Sequence, residues 1–139
     1  MYCLETKASF DAAHFLYGYQ GKCRNIHGHR WQLLVQIGRE NLEEQGQCRG
    51  MIIDFGQLKK DVKTIAQEFD HVLILEKGTL KQNTYKALQE EGFEMVEVLF
   101  RPTAENFAKY FYDRVKEKGY PIICATVYET PNNCASYRE

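Results

Sequence analysis

Two stretches of apolar alternation, each carrying histidine at one end, restrict this chain to a fold in which strands bring imidazoles together. In residues 2–14, Tyr2, Leu4, Ala8, Phe10, Ala12 and His14 share one parity; in the second stretch His27, His29, Trp31, Leu33, Val35 and Ile37 do. Side chains at i and i+2 of a strand project from the same face. His14 therefore belongs to the apolar face of a first strand, and His27 and His29 to that of a second. An imidazole taken from water there needs a partner, and a metal ion is one.

Three neutral imidazoles hold zinc at about 2.0–2.1 Å and leave the fourth tetrahedral position to water or substrate, whereas a fourth protein ligand closes the site. Gly28 adds no bulk between His27 and His29. A single His-x-His is weak evidence, since most histidines are surface or satisfied core residues; the third histidine and Cys23, four positions before His27, strengthen it. Cys23 has two readings. Beside a bound Zn²⁺ a thiol deprotonates more readily and can act as a base near neutral pH. Alternatively, Cys23 is the fourth ligand of a closed structural site. Cys134 is the rival reactive thiol; Cys3, Cys48 and Cys124 read as ordinary small apolar or loop residues.

The 139 residues fit one domain over 1–139. A net charge of -1 argues against a nucleic-acid surface. No window approaches the ~20 apolar residues of a membrane span, and the amino terminus lacks a signal-peptide core. Five cysteines without a CxxC fit reduced thiols. A cytoplasmic protein is expected.

Beyond the two strands, Leu58, Val62, Ile65, Ala66 and Phe69 recur at helical spacing across Gln57–Phe69, with Asp54 as a possible cap. A second helix starts at the N-cap Thr103, carries Glu105 in its first turn, buries Ala104, Phe107, Ala108, Phe111 and Val115, and stops at Gly119 before Pro121. Met95–Phe100 reads as a short strand and Thr79–Gly92 as a short helix. Ile122–Glu129 and Cys134–Arg138 form a hairpin around Pro131-Asn132-Asn133. The sum is an α+β fold, an antiparallel sheet with helices on one face. Glu129 shares parity with Ile123, Ala125 and Val127, so it either meets N–H donors of a ligand or reaches solvent at the strand end. Asp70 next to His71 can set the imidazole's tautomer for proton transfer, although adjacent residues often point apart.

In order along the chain, Phe10-Asp-Ala-Ala-His14, Cys23-x-x-x-His27-Gly-His29, Met51-Ile-Ile-Asp-Phe55, Asp70-His71, Pro102-Thr-Ala-Glu-Asn106 and Tyr128-Glu-Thr130 resemble the 6-pyruvoyltetrahydropterin synthase and 6-carboxytetrahydropterin synthase family. The resemblance runs nearly end to end. Three residues between Cys23 and His27 look like the bacterial carboxytetrahydropterin branch of queuosine biosynthesis; pyruvoyl-forming animal enzymes usually have a longer gap.

The resemblance implies a tunnelling fold with a four-stranded antiparallel sheet, sheets joining across subunits into trimers that pair as a homohexamer, and sites at the interfaces. It implies one Zn²⁺ per subunit on His14, His27 and His29, Cys23 as the base, and Asp70 orienting His71 for the hydroxyl proton. It places Glu129 on the pterin's N–H edge, with Thr103 and Glu105 adding contacts. The implied reaction converts 7,8-dihydroneopterin triphosphate to 6-carboxy-5,6,7,8-tetrahydropterin, acetaldehyde and triphosphate. Two alternatives stand beside it: a pyruvoyl product without side-chain cleavage, and a non-catalytic zinc- or pterin-binding protein. The segment Glu76–Arg101 is longer than the family pattern, and Lys22, Arg24, Arg30 and Arg101 are the candidates for the triphosphate.

Overall fold

A computed structural model describes residues 1–139. Strands β1 (Tyr2–His14) and β2 (His27–Arg39) pair antiparallel along their full length, from Tyr2 opposite Arg39 to His14 opposite His27. This register turns sequence parity into geometry, because Ala12 faces His29 across the pair and the three histidines gather at one end. β5 (Ile122–Thr130) adds to β2 and β6 (Asn133–Tyr137) to β5, both antiparallel, through the turn at Pro131-Asn132.

The sheet has six strands, not four, and it is not wholly antiparallel. β3 (Val72–Glu76) lies parallel to β1, and β4 (Met95–Val98) parallel to β3, giving the order β4-β3-β1-β2-β5-β6. Ile74 and Leu75 are adjacent yet both buried, so β3 is covered on both faces and shows none of the alternation that marks β1. A parallel pair also needs a crossover of a dozen or more residues. The long segment after Glu76 supplies it, with helix α2 (Gln82–Glu90) between β3 and β4.

Helix α1 (Phe55–Gln67) starts where Asp54 Oδ1 accepts from Gln57 N at 3.2 Å, two residues earlier than the apolar spacing suggests. Helix α3 (Ala104–Glu117) is capped by Thr103, whose Oγ1 accepts from Asn106 N at 3.3 Å. α1 packs on β1 and α3 on β5 and β6, so both cover one face. Between them lies a core of 21 buried residues. Its centre is aromatic: Phe10 stacks on Trp31 with ring centroids 5.9 Å apart, and Phe69, Phe107 and Phe111 close around Phe10. Each such side chain contributes roughly 1.5–3 kcal/mol by leaving water. Trp31 is fully buried and donates Nε1–H to the Ala12 carbonyl at 3.3 Å. Its ring lies 4.9 Å from that of His14 and 5.5 Å from that of His29, so the core is the floor of the histidine cluster.

Candidate functional site

His14, His27 and His29 offer ligand atoms that all lie within 4.8 Å of one another. Their ring centroids are 4.6 Å apart for His14 and His27, 5.1 Å for His14 and His29, and 4.9 Å for His27 and His29. His14 Nδ1 sits 2.8 Å from the Pro102 carbonyl and His27 Nδ1 2.7 Å from the Asn25 carbonyl. A carbonyl only accepts, so in each neutral ring Nδ1 carries the proton and Nε2 presents a lone pair. Backbone carbonyls in this position orient metal-binding imidazoles.

His14 Nε2 and His29 Nε2 are buried and have no hydrogen-bond partner. Glu129 Oε1 stands 3.3 Å from the first and 3.7 Å from the second. A lone pair and a carboxylate oxygen at such a distance repel, so the space they face calls for a positive charge. Three nitrogens with a carboxylate nearby suit a divalent ion such as zinc.

Burial pushes the His14 imidazole down from 6.5 to about 4, against the Pro102 hydrogen bond, which raises it. Burial also lowers His29, while Glu129 acts in the opposite sense. Both rings are therefore neutral at neutral pH, the form that binds a metal. The stability consequence has a definite sign. Below 6.5 the unfolded chain protonates His14, but the folded chain resists until about 4, so metal-free protein loses stability as pH falls through that window. At ~1.4 kcal/mol per pKa unit the loss approaches about 3 kcal/mol. Chemical denaturation of chelator-treated protein across this range should show a steeper slope than in a His14→Gln variant, which keeps only the contribution of His29 and other groups; equal slopes would contradict it.

Cys23 lies on a 3-10 turn, Lys22–Arg24, in the loop from β1 to β2. It is half-buried and is not among the converging ligand atoms. It lines a cleft of about 350 Å³ with Arg101, Thr103, Glu105, Glu129 and Cys134. Cleft and metal cluster meet at Glu129, which is 32% exposed. Thr103 and Glu105 come to the cleft as the cap and first turn of α3.

The Asp70–His71 pair occupies another place. Asp70 Oδ2 lies 3.1 Å from His71 Nδ1, and Asp70 Oδ1 accepts from Asp11 N at 2.8 Å. The Asp11 N–H, more than the imidazole, holds the Asp70 carboxyl below the usual range. His71 N donates to the Asp11 carbonyl at 2.6 Å, and His71 has φ 58°, the one non-glycine residue with positive φ. That conformation is costly for a residue with a Cβ and lets these neighbours turn toward each other. The Asp11 carboxylate, of opposite parity to His14 on β1, joins them: ligand atoms of Asp11, Asp70 and His71 lie within 4.8 Å of one another. His71 lines a cleft of about 610 Å³ with Asp11, Ile26, His29, Leu88 and Phe93. Within one chain, then, His71 and Cys23 open onto different clefts. Asp11 escaped the sequence reading because nothing in its parity or neighbours marks it as a partner of Asp70. The long segment Glu76–Arg101 carries Leu88 and Phe93 to the wall of the His71 cleft.

Residues 3–139 match a family model described as 6-pyruvoyl tetrahydropterin synthase. The chain is 34% identical to the 6-carboxy-5,6,7,8-tetrahydropterin synthase of Haemophilus influenzae, over 100% of both chains. It is 33% identical to the protein of the same name from Aquifex aeolicus, over 85% of this chain and 76% of that one. Among solved structures, 6-pyruvoyl tetrahydropterin synthase of Caenorhabditis elegans superposes with TM-score 0.70 and 25% identity, over 99% of this chain and 95% of the other. An uncharacterized protein from Wolinella succinogenes, 19% identical, shares the fold at TM-score 0.77 over 99% and 98%. The tunnelling fold expected from the motifs is the fold of this chain.

Proposed function

The chain belongs to the 6-pyruvoyl tetrahydropterin synthase family, and on that premise we propose that it is a zinc-dependent carbon–carbon lyase. It converts 7,8-dihydroneopterin triphosphate to 6-carboxy-5,6,7,8-tetrahydropterin, acetaldehyde and triphosphate, a step of queuosine biosynthesis in the cytoplasm. The observation that carries this reading is the buried, partnerless Nε2 lone pair of His14 facing the same space as His27 and His29.

His14, His27 and His29 hold one Zn²⁺ per subunit. Bound there, the ion supplies Lewis acidity to the side-chain hydroxyls of the substrate. Cys23, outside the ligand set, takes the side-chain proton as general base. Asp70 orients His71 through the Oδ2–Nδ1 contact of 3.1 Å, and the imidazole handles the hydroxyl proton. Glu129 accepts from the amino group and ring N–H of the pterin in two charge-assisted hydrogen bonds. Thr103 and Glu105, in the same cleft, add contacts to the pterin. Sheets joined across subunits in a dimer of trimers set the His71 cleft of one chain against the Cys23 cleft of its neighbour. The separation of the two clefts within one chain supports that assembly. No helix is long and apolar enough to cross a membrane.

Glu129 offers a direct check of the pterin assignment. Hydrogen bonds to a charged group contribute ~1.5–3 kcal/mol, so Glu129→Gln should raise KM roughly 10- to 100-fold with zinc content unchanged. Loss of zinc instead would make Glu129 a metal ligand.

The reaction itself is tested by incubating the zinc-loaded protein with 7,8-dihydroneopterin triphosphate without oxygen and identifying products by mass spectrometry. Carboxytetrahydropterin with acetaldehyde is expected. A pyruvoyl product would assign the elimination reaction, and no turnover by metal-replete protein would leave a binding protein.

A further inference from the structure

We propose that Arg101 is a positioning residue that fixes the Cys23 loop against the metal cluster and the N-terminus of α3; the proposal rests on the reading of Cys23 as the base. The loop from Leu16 to Asn25 is held mostly by its own backbone: Leu16 N donates to Cys23 O at 2.9 Å, Arg24 N to Gly21 O at 3.3 Å and Asn25 N to Lys22 O at 3.0 Å. None of the residues Tyr17–Ile26 is buried, so packing does little to locate the thiol. One long-range hydrogen bond reaches residues 17–25 from the rest of the fold. It runs from Arg101 Nη2 to the Tyr17 carbonyl, at 3.2 Å.

The same guanidinium lies over the Tyr19 ring, 5.7 Å from its centroid. The Tyr19 ring in turn occupies the space beside Gly21, where an added Cβ would stand 2.6 Å from Tyr19 Cε1. Arg101, Tyr19 and Gly21 thus form a stack that ends two residues from Cys23. The backbone of the anchor is itself tied by hydrogen bonds. The Arg101 carbonyl accepts from Thr103 N at 2.7 Å and from Asn106 Nδ2 at 2.9 Å, and the next carbonyl, that of Pro102, orients His14. One short segment therefore places the metal ligand and, through the guanidinium, the thiol. A planar guanidinium can donate to a carbonyl while lying over an aromatic face, whereas an ammonium is a point charge on a flexible stem. Arg101 lines the cleft that Cys23 and Glu129 share, so the clamp is part of the site wall.

The test compares Arg101→Ala, Arg101→Lys and Tyr19→Leu in the zinc-loaded protein. A reacting group displaced by about 1 Å costs ~100-fold in rate, so Arg101→Ala should lower kcat by that order while KM changes less than ~3-fold and zinc content is retained. Arg101→Lys and Tyr19→Leu should fall between it and wild type, and methylguanidinium should restore part of the Arg101→Ala rate. A second readout needs no pterin: the rate at which iodoacetamide alkylates Cys23, resolved by peptide mass spectrometry. It should change in Arg101→Ala while Cys3, outside the cleft, reacts as before. If Arg101→Ala does not fold, the same two readouts on Arg101→Lys and Tyr19→Leu decide. Unchanged kcat with unchanged Cys23 alkylation overturns the proposal, as does a KM effect without an alkylation effect, which would make Arg101 a substrate contact. Altered alkylation in a protein with no pterin turnover would keep the clamp and remove the reaction assigned above.

Discussion

Replacing His27 by alanine is expected to remove metal and turnover together. Metal analysis should fall from one ion per chain to near none, and kcat should drop by roughly 10³-fold or more, since a Lewis acid contributes several kcal/mol and each ~1.4 kcal/mol is tenfold. His27 is the better test than His14 because it is only half-buried and its loss leaves the core intact. His14→Ala should show the same metal loss with an added stability cost of about 1–3 kcal/mol, because the Pro102 carbonyl loses its donor in a buried place. A His27→Ala protein that keeps one tightly bound ion would contradict the triad.

Removing the base should separate what removing a ligand joins. Cys23→Ala is expected to keep its zinc and its fold and to lose ~10²–10⁴-fold in kcat, the range for a positioned general base. His71→Ala should show a loss of the same order. If the two groups act at one site built from neighbouring subunits, co-expressed chains bearing one substitution each should regain activity that neither homo-oligomer has. Within a single chain the two residues open onto separate clefts, so a hybrid without recovered activity would argue that they do not act together.

Parity along residues 2–14 and 27–37 was enough to place three imidazoles on one side of a strand pair, because a strand's two-residue period converts position into face. Full-length pairing with His14 opposite His27 does the rest. Thr103 was legible as a cap for a similar local reason. The parallel half of the sheet was not legible. β3 is buried on both faces, which erases alternation, and five residues are too few to separate a strand from a buried helical turn. The contact of Asp70 with His71 depends on the left-handed backbone of His71, which no neighbouring residue type signals. The approach of Glu129 to His14 and His29 depends on the β2–β5 register, with Leu33 opposite Val127, a long-range pairing that local spacing does not specify. The contact of Arg101, a phosphate candidate by charge alone, with the Cys23 loop is a partnership across 84 positions that local spacing does not signal.

X-ray absorption at the zinc edge of the loaded protein tests the open metal site most directly, because sulfur and nitrogen ligands differ in distance. The expected first shell is three imidazole nitrogens at about 2.0–2.1 Å and one light oxygen donor, unchanged in the Cys23→Ala variant. A zinc–sulfur distance of about 2.3 Å that disappears in that variant would show a closed cysteine–histidine site and contradict Cys23 as the base.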